Sequence, residues 1–226
     1  MREIVLDTET TGLNYKAGDR VIEVGCVELT NYVRTNNSLQ FYCSVDKKIT
    51  ESATKIHGLT NNFLNKHKSF KDSAQEFLNF IKKDTLIIHN ADFDLGFLNN
   101  ELKLINLPPI DNNVVDTVGL ARKKLKTRIA NLDYLCKRFD IDLSARKQHG
   151  ALLDCNLLAE VYLELRGGKQ TSLELQNAPE ISKAKKLNNF EGSSSLARVK
   201  INQGEIQSHK NFVKNIKNAL WKKIDY

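Results

Sequence analysis

The chain has 226 residues, 41% of them hydrophobic, which is enough for one substantial core with at most a small appendage. No stretch approaches the roughly 18–20 apolar residues of a membrane span, and the first apolar run, Ile4-Val5-Leu6, ends at once in Asp7, so neither a signal segment nor membrane association is expected. The net charge of +7 is uneven: residues 1–165 hold 22 basic and 22 acidic side chains, whereas residues 166–226 hold 12 and 5. Four scattered cysteines with no Cys-x-x-Cys pair exclude a zinc ribbon and a disulfide framework, and they suit a reducing cytoplasm.

Residues 3–8 predict a strand covered on both faces, because three apolar side chains stand in a row. Residues 20–29 and 39–45 predict two further strands, joined through Asn31 and Asn36-Asn37 and paired antiparallel. Helical spacing of Ala74, Phe77, Leu78 and Ile81 predicts a helix over 73–82, and Thr85-Leu86-Ile87-Ile88 a short fourth strand. A helix over 93–104 ends before Pro108-Pro109. Val114-Val115 gives a small fifth strand, and helices follow at 117–125, 131–138 and 150–165, the last closed by Gly167-Gly168. An antiparallel start followed by alternating helix and strand predicts an α/β layered sheet.

Three segments carry carboxylates at the ends of predicted elements. Asp7 and Glu9 are two apart on a strand, so both point to one face where it ends. Adjacent carboxylates repel unless a cation lies between them, and oxygen-only donors suit Mg²⁺ or Mn²⁺ better than zinc. His89-Asn90-Ala91-Asp92-Phe93-Asp94 follows strand four; if strands one and four run parallel, its acids reach the same sheet edge. Asp92 is placed to cap the following helix, which leaves Asp94 to face inward. In the third segment, Asp154 stands beside an apolar helix stripe and His149 just precedes that helix. Each of these residues also has a plainer reading, as a solvated turn, a helix cap or a surface histidine. Together, Asp-x-Glu, then Asp, then His-x₄-Asp supply what two-metal phosphodiester hydrolysis requires, namely acids to hold two cations and a base to activate water.

The segments Asp7-Thr8-Glu9-Thr10-Thr11-Gly12, His89 to Asp94, and His149-Gly150-Ala151-Leu152-Leu153-Asp154 resemble the DEDD superfamily of 3'→5' exonucleases, in its histidine branch. Ile56-His57-Gly58-Leu59-Thr60 and Asp116 to Lys123 support the resemblance, which covers roughly residues 2–168 and is nearest to the proofreading exonucleases of bacterial replicative polymerases. It implies a ribonuclease-H-like fold, with a five-stranded mixed sheet flanked by helices, and an exonuclease domain over 1–168. It implies two ions, Mg²⁺ or Mn²⁺, with Asp7 bridging them, Glu9 and Asp154 completing one site, Asp94 supporting the other, and His149 as the general base. Asp7, Glu9, Thr10, Thr11, Leu13, His57, Asn90 and Asp154 would meet the terminal nucleotide at a DNA 3' end. Ser52 stands where close relatives often carry a substrate-contacting glutamate, with Glu51 adjacent. Asp116 reads as a helix cap outside the ligand set.

The tail has its own composition. Residues 176–210 are rich in Asn, Ser, Lys and Gln, so 169–207 reads as a flexible linker. Within it, Gln170-Thr171-Ser172-Leu173-Glu174-Leu175 resembles a peptide that docks on the sliding clamp. Residues 208–226 carry an amphipathic helical pattern, with Val213, Ile216, Leu220 and Ile224 on one stripe. By the resemblance, that segment would bind the alpha subunit of DNA polymerase III.

Overall fold

In the computed structural model, residues 1–146, 148–167 and 202–216 are described. The chain divides into two compact units, Met1–Leu173 and Glu174–Tyr226. The first is built on a five-stranded sheet of order β3-β2-β1-β4-β5. Strand β1 (Arg2–Thr10) pairs antiparallel with β2 (Val21–Thr30), which pairs antiparallel with β3 (Val33–Tyr42). Strands β4 (Thr85–Ile88) and β5 (Val114–Asp116) add in parallel on the other side of β1.

The alternation along β1 separates two cores. Ile4 and Leu6 face one side, where they pack with helices α3 (Phe70–Ile81) and α4 (Ala91–Leu104). Val5 faces the other side, against α5 (Thr117–Leu125), α6 (Leu132–Arg138) and α7 (Ala151–Arg166). Short helices α1 (Glu51–His57) and α2 (Asn61–Leu64) frame a third cluster around Ile22 and Leu64. In the second unit, α8 spans Gln203–Asn215, with Phe212 exposed and Val213 buried. Residues 147, 168–201 and 217–226, and with them the clamp-like peptide, lie outside the described residues. All four cysteines are free and buried, and no described helix is long and apolar enough to cross a membrane.

Three local expectations are corrected. The β2–β3 hairpin turns at Asn31-Tyr32, both at positive φ, and Asn36-Asn37 lie inside β3. Asp92 lies inside α4, whose N-cap is Asn90 in a left-handed conformation. Helices α1 and α2 also go unpredicted, because 7 and 4 residues carry too little periodicity to register. Asp116 does cap α5, accepting from the Val118 amide at 2.8 Å.

Two β2 residues seat α7. A Cβ at Gly25 would lie 2.4–2.6 Å from the Ala151 and Leu152 backbone, so only glycine lets the helix start rest on the strand. Glu23, buried, accepts from the Ala151 and Leu152 amides and so satisfies helix N–H groups that Gly150, the N-cap, cannot reach. Gly25 is the register partner of Asp7, and Glu23 of Glu9. The same pair of positions therefore fixes how closely the start of α7 approaches the end of β1. Gly25→Ala is expected to cost about 1–3 kcal/mol of stability by overpacking, because the start of α7 must move off the strand. Urea unfolding checks this, and an unchanged unfolding midpoint in Gly25→Ala would refute the seating role.

Candidate active site

The carboxyl edge of β1 and β4 collects the predicted acids. Asp7 and Glu9 share the α7 face of β1, half-buried. Asp94 and Asp154 are each the fourth residue of their helix, α4 and α7, and both are buried, at 3% and 4% exposure. A first-turn position is where the helix dipole favours a carboxylate. Asp94 is tied to β1 by the Thr8 amide (3.0 Å) and the Thr8 hydroxyl (2.7 Å), both donating to Oδ1. Glu9, His149 and Asp154 present ligand atoms within 4.8 Å of one another. Asp7, His149 and Asp154 line one cavity of about 260 Å³ together with His89, Asn131, Asp133 and Arg146.

Arg146 was not singled out by sequence reasoning. Its guanidinium grips Asp154 in a fork, with Nε to Oδ1 and Nη2 to Oδ2 both at 2.6 Å, and it also pairs with Asp133. Its Nη2 lies 3.0 Å from His149 Nδ1, which in turn lies 3.2 Å from Asp154 Oδ2. That nitrogen therefore sits between a donor and an acceptor. Neutral, it accepts from Arg146; protonated, it donates to Asp154. The amide of His149 is held by the Ile56 carbonyl at 3.0 Å, which anchors the segment to α1. The signal available in sequence was the Arg146-Lys147 pair just before His149, beside acids that needed a counter-charge.

The remaining candidates border this cluster or lie apart from it. Thr10 and Thr11 are buried, and Leu13 is 84% exposed. His57 is buried; its Nδ1 accepts from the Leu59 amide (3.0 Å), so the proton is on Nε2, which faces the Thr10 backbone without a close hydrogen bond among the described residues. Ser52 is exposed, its hydroxyl 3.1 Å from that of Thr50. Asn90 is exposed and its amide donates to Asp116.

One cation does not offset these acids. Burial, with the charges of Asp94, Glu9 and Asp154 nearby, pushes the Asp7 carboxyl well above its ordinary range. Burial and the neighbouring Asp154 and Glu23 raise Glu9 to about 8. Burial raises Asp94 to about 7 in spite of its Thr8 hydrogen bonds. Crowded carboxyl oxygens that resist ionisation on their own fit hard divalent cations.

A family model described as Exonuclease matches residues 4–162. The chain belongs to this exonuclease family. It is 43% identical over 222 residues to DNA polymerase III subunit epsilon of Rickettsia prowazekii (strain Madrid E), covering 96% of this chain and 97% of that one. It is 39% identical over 239 residues to the subunit of the same name from Pasteurella multocida (strain Pm70), covering 98% and 94%. Those relatives place this exonuclease in the epsilon group, and it is a 3'→5' exonuclease. Exonuclease X in complex with 5' overhanging duplex DNA shares the fold at TM-score 0.58 and 22% identity, covering 73% of this chain and 90% of that one. The nuclease domain of 3'hExo, a DEDDh family member bound to rAMP, shares it at 0.64 and 17%, covering 75% and 94%.

Two outcomes follow for the metal-free exonuclease. The folded protein keeps Glu9 and Asp94 protonated to about pH 8 and 7, whereas the unfolded chain releases both near pH 4 (roughly). Their contribution is thus fully present at low pH and lost as pH rises through those values. Relative to a Glu9→Gln/Asp94→Asn protein, the melting temperature of the parent should fall between pH 5 and 8 (roughly), and added Mg²⁺ should flatten the fall. Calorimetry with and without chelator decides it; parallel curves would contradict the shifts. Arg146→Met strands Asp154 without its cation, which should cost about 3–5 kcal/mol in urea unfolding. Mg²⁺ should recover part of that loss.

Proposed function

We propose that this exonuclease removes mispaired nucleotides one at a time from the 3' end of DNA, as the proofreading subunit of a DNA polymerase III. The observation that carries the reading is the convergence of Asp7, Glu9, Asp94, Asp154 and His149 at one sheet edge, in a chain 43% identical to an epsilon subunit. The family uses divalent metal ions. Here Asp7, Glu9, Asp94 and Asp154 would hold two of them, Mg²⁺ or Mn²⁺. When bound, these cations supply charge neutralisation at the scissile phosphate.

The chain's own residues do the rest. His149 takes the proton that the attacking water loses, while its Nδ1, beside Arg146 and Asp154, holds the ring at the cavity. His57 Nε2–H, buried and with no close hydrogen bond among the described residues, offers a donor to an oxygen of the terminal nucleotide. Leu13 presents an apolar surface to its base, and Thr10, Thr11, Ser52 and Asn90 complete the rim around that end. In the tail, the segment 208–226 is the proposed contact for the alpha subunit, supported by Phe212, 66% exposed on α8. Gln170–Leu175 is the proposed clamp peptide, which would raise local concentration at the primer end.

The test uses a 5'-labelled DNA primer with a mismatched 3' end, and an RNA of matching sequence, with Mg²⁺. The DNA should shorten, faster at the mismatch. Asp7→Ala should reduce the rate by roughly a thousandfold or more, and His149→Ala by roughly 10²–10⁴-fold. Preferential trimming of RNA, or undiminished activity in Asp7→Ala, would overturn the reading.

A further inference from the structure

The first 165 residues sum to zero charge, yet the charge is not evenly laid out. Residues 117–138 hold 7 basic side chains and 1 acidic one, so the rest of 1–165 carries 15 against 21. Arg122, Lys123, Lys124, Lys126, Arg128, Lys137 and Arg138 are all exposed. Among the described residues none of them has an ion pair or a side-chain hydrogen bond, although acids are in excess elsewhere in the same unit.

The location of this strip matters as much as its charge. It is continuous with the catalytic cavity at one end: Asn131, Leu132 and Asp133 line that cavity beside Asp7 and Asp154, and Lys137 borders a depression shared with Arg146 and His149. At the other end, Lys124 and Leu125 lie beside Glu164, Leu165 and Gly167, where α7 finishes. Since α7 runs from Asp154 at the cavity to Leu165, the strip extends about 16 Å from the site. That distance corresponds to roughly four or five nucleotides of helical rise. Helix α5 buries Thr117 and Ala121 and turns Arg122 to Lys124 outward, so the cations share a surface that the core does not need.

We propose that the outer face of α5, the 126–130 loop and the end of α6 form a track for the DNA sugar-phosphate backbone, several nucleotides away from the residue being hydrolysed. The inference rests on the exonuclease reading and adds where the substrate lies beyond its last nucleotide. A backbone track of this kind holds the strand by counter-ion release and reads no sequence. It also balances the acidic pocket, which on its own repels a polyanion.

The experiment compares the full-length protein with a Lys123→Gln/Lys124→Gln/Lys126→Gln/Arg128→Gln variant on three substrates: a nitrophenyl ester of thymidine monophosphate, a single-stranded oligonucleotide and a primer–template. Ester hydrolysis should be unchanged, which also shows that the variant is folded. KM for the long DNA should rise by roughly tenfold or more at low salt, and the slope of log affinity against log salt should fall by about 3. A shift on both DNAs assigns the track to the strand being shortened; a shift on the primer–template alone assigns it to the paired region. Unchanged KM and salt slope on both DNAs would overturn the proposal, as would an equal loss on the ester. Failure of the unmodified protein to cleave the ester and DNA would take down the exonuclease reading itself, and the track with it.

Discussion

Like charges held close together in a partly buried space are the constraint around which this molecule is organised. Burial raises the proton affinity of Asp7, Glu9 and Asp94, and neighbouring carboxylates raise that of Asp7 and Glu9 further. Flexible loops would relieve such repulsion by moving apart. These acids instead stand on a central strand and on the first turns of two helices, each helix seated by specific contacts. The Thr8 amide and hydroxyl fix α4, while Glu23 and the bare Cα of Gly25 fix α7. Rigid elements thus keep the carboxyl groups in a geometry that ionises easily only when cations join them.

Arg146 is the counterweight within the protein. Its fork on Asp154 and its contacts with Asp133 and His149 Nδ1 join a metal-ligand candidate, an outer acid and the candidate base through one guanidinium. An arginine suits that position because its charge persists at any working pH and its planar donors match a carboxylate edge. The same electrostatic logic extends outward. The acidic pocket and the basic surface beside it cancel in the sum over residues 1–165, so a stretch that is neutral in total carries two strongly charged regions.

The local chemistry was readable from the chain. Period-two spacing placed Asp7 and Glu9 on one face of β1, and apolar runs located four strands and only the end of β3, whose polar first half carries no such run. Capping preferences correctly set Asp116 aside, while Asp92 failed as a cap because Asn90 takes that position in a left-handed conformation. The motif residues converge because β1 and β4 are parallel neighbours, a pairing that the sequence pattern allowed but did not require.

What the sequence determined by itself was the inventory: which residues could bind cations, which could move a proton, and which segments were strand or helix. These are properties of single residues and of near neighbours along the chain. The tertiary structure alone decided that Glu23 would serve as a helix anchor, that Gly25 would admit α7, and that Arg146 would close on Asp154. It also decided that the cations between Arg122 and Arg138 would stand exposed on the elements beside the cavity. Each depends on partners brought together by sheet order and helix seating, and no local pattern encodes a contact whose two halves meet only after the chain has folded.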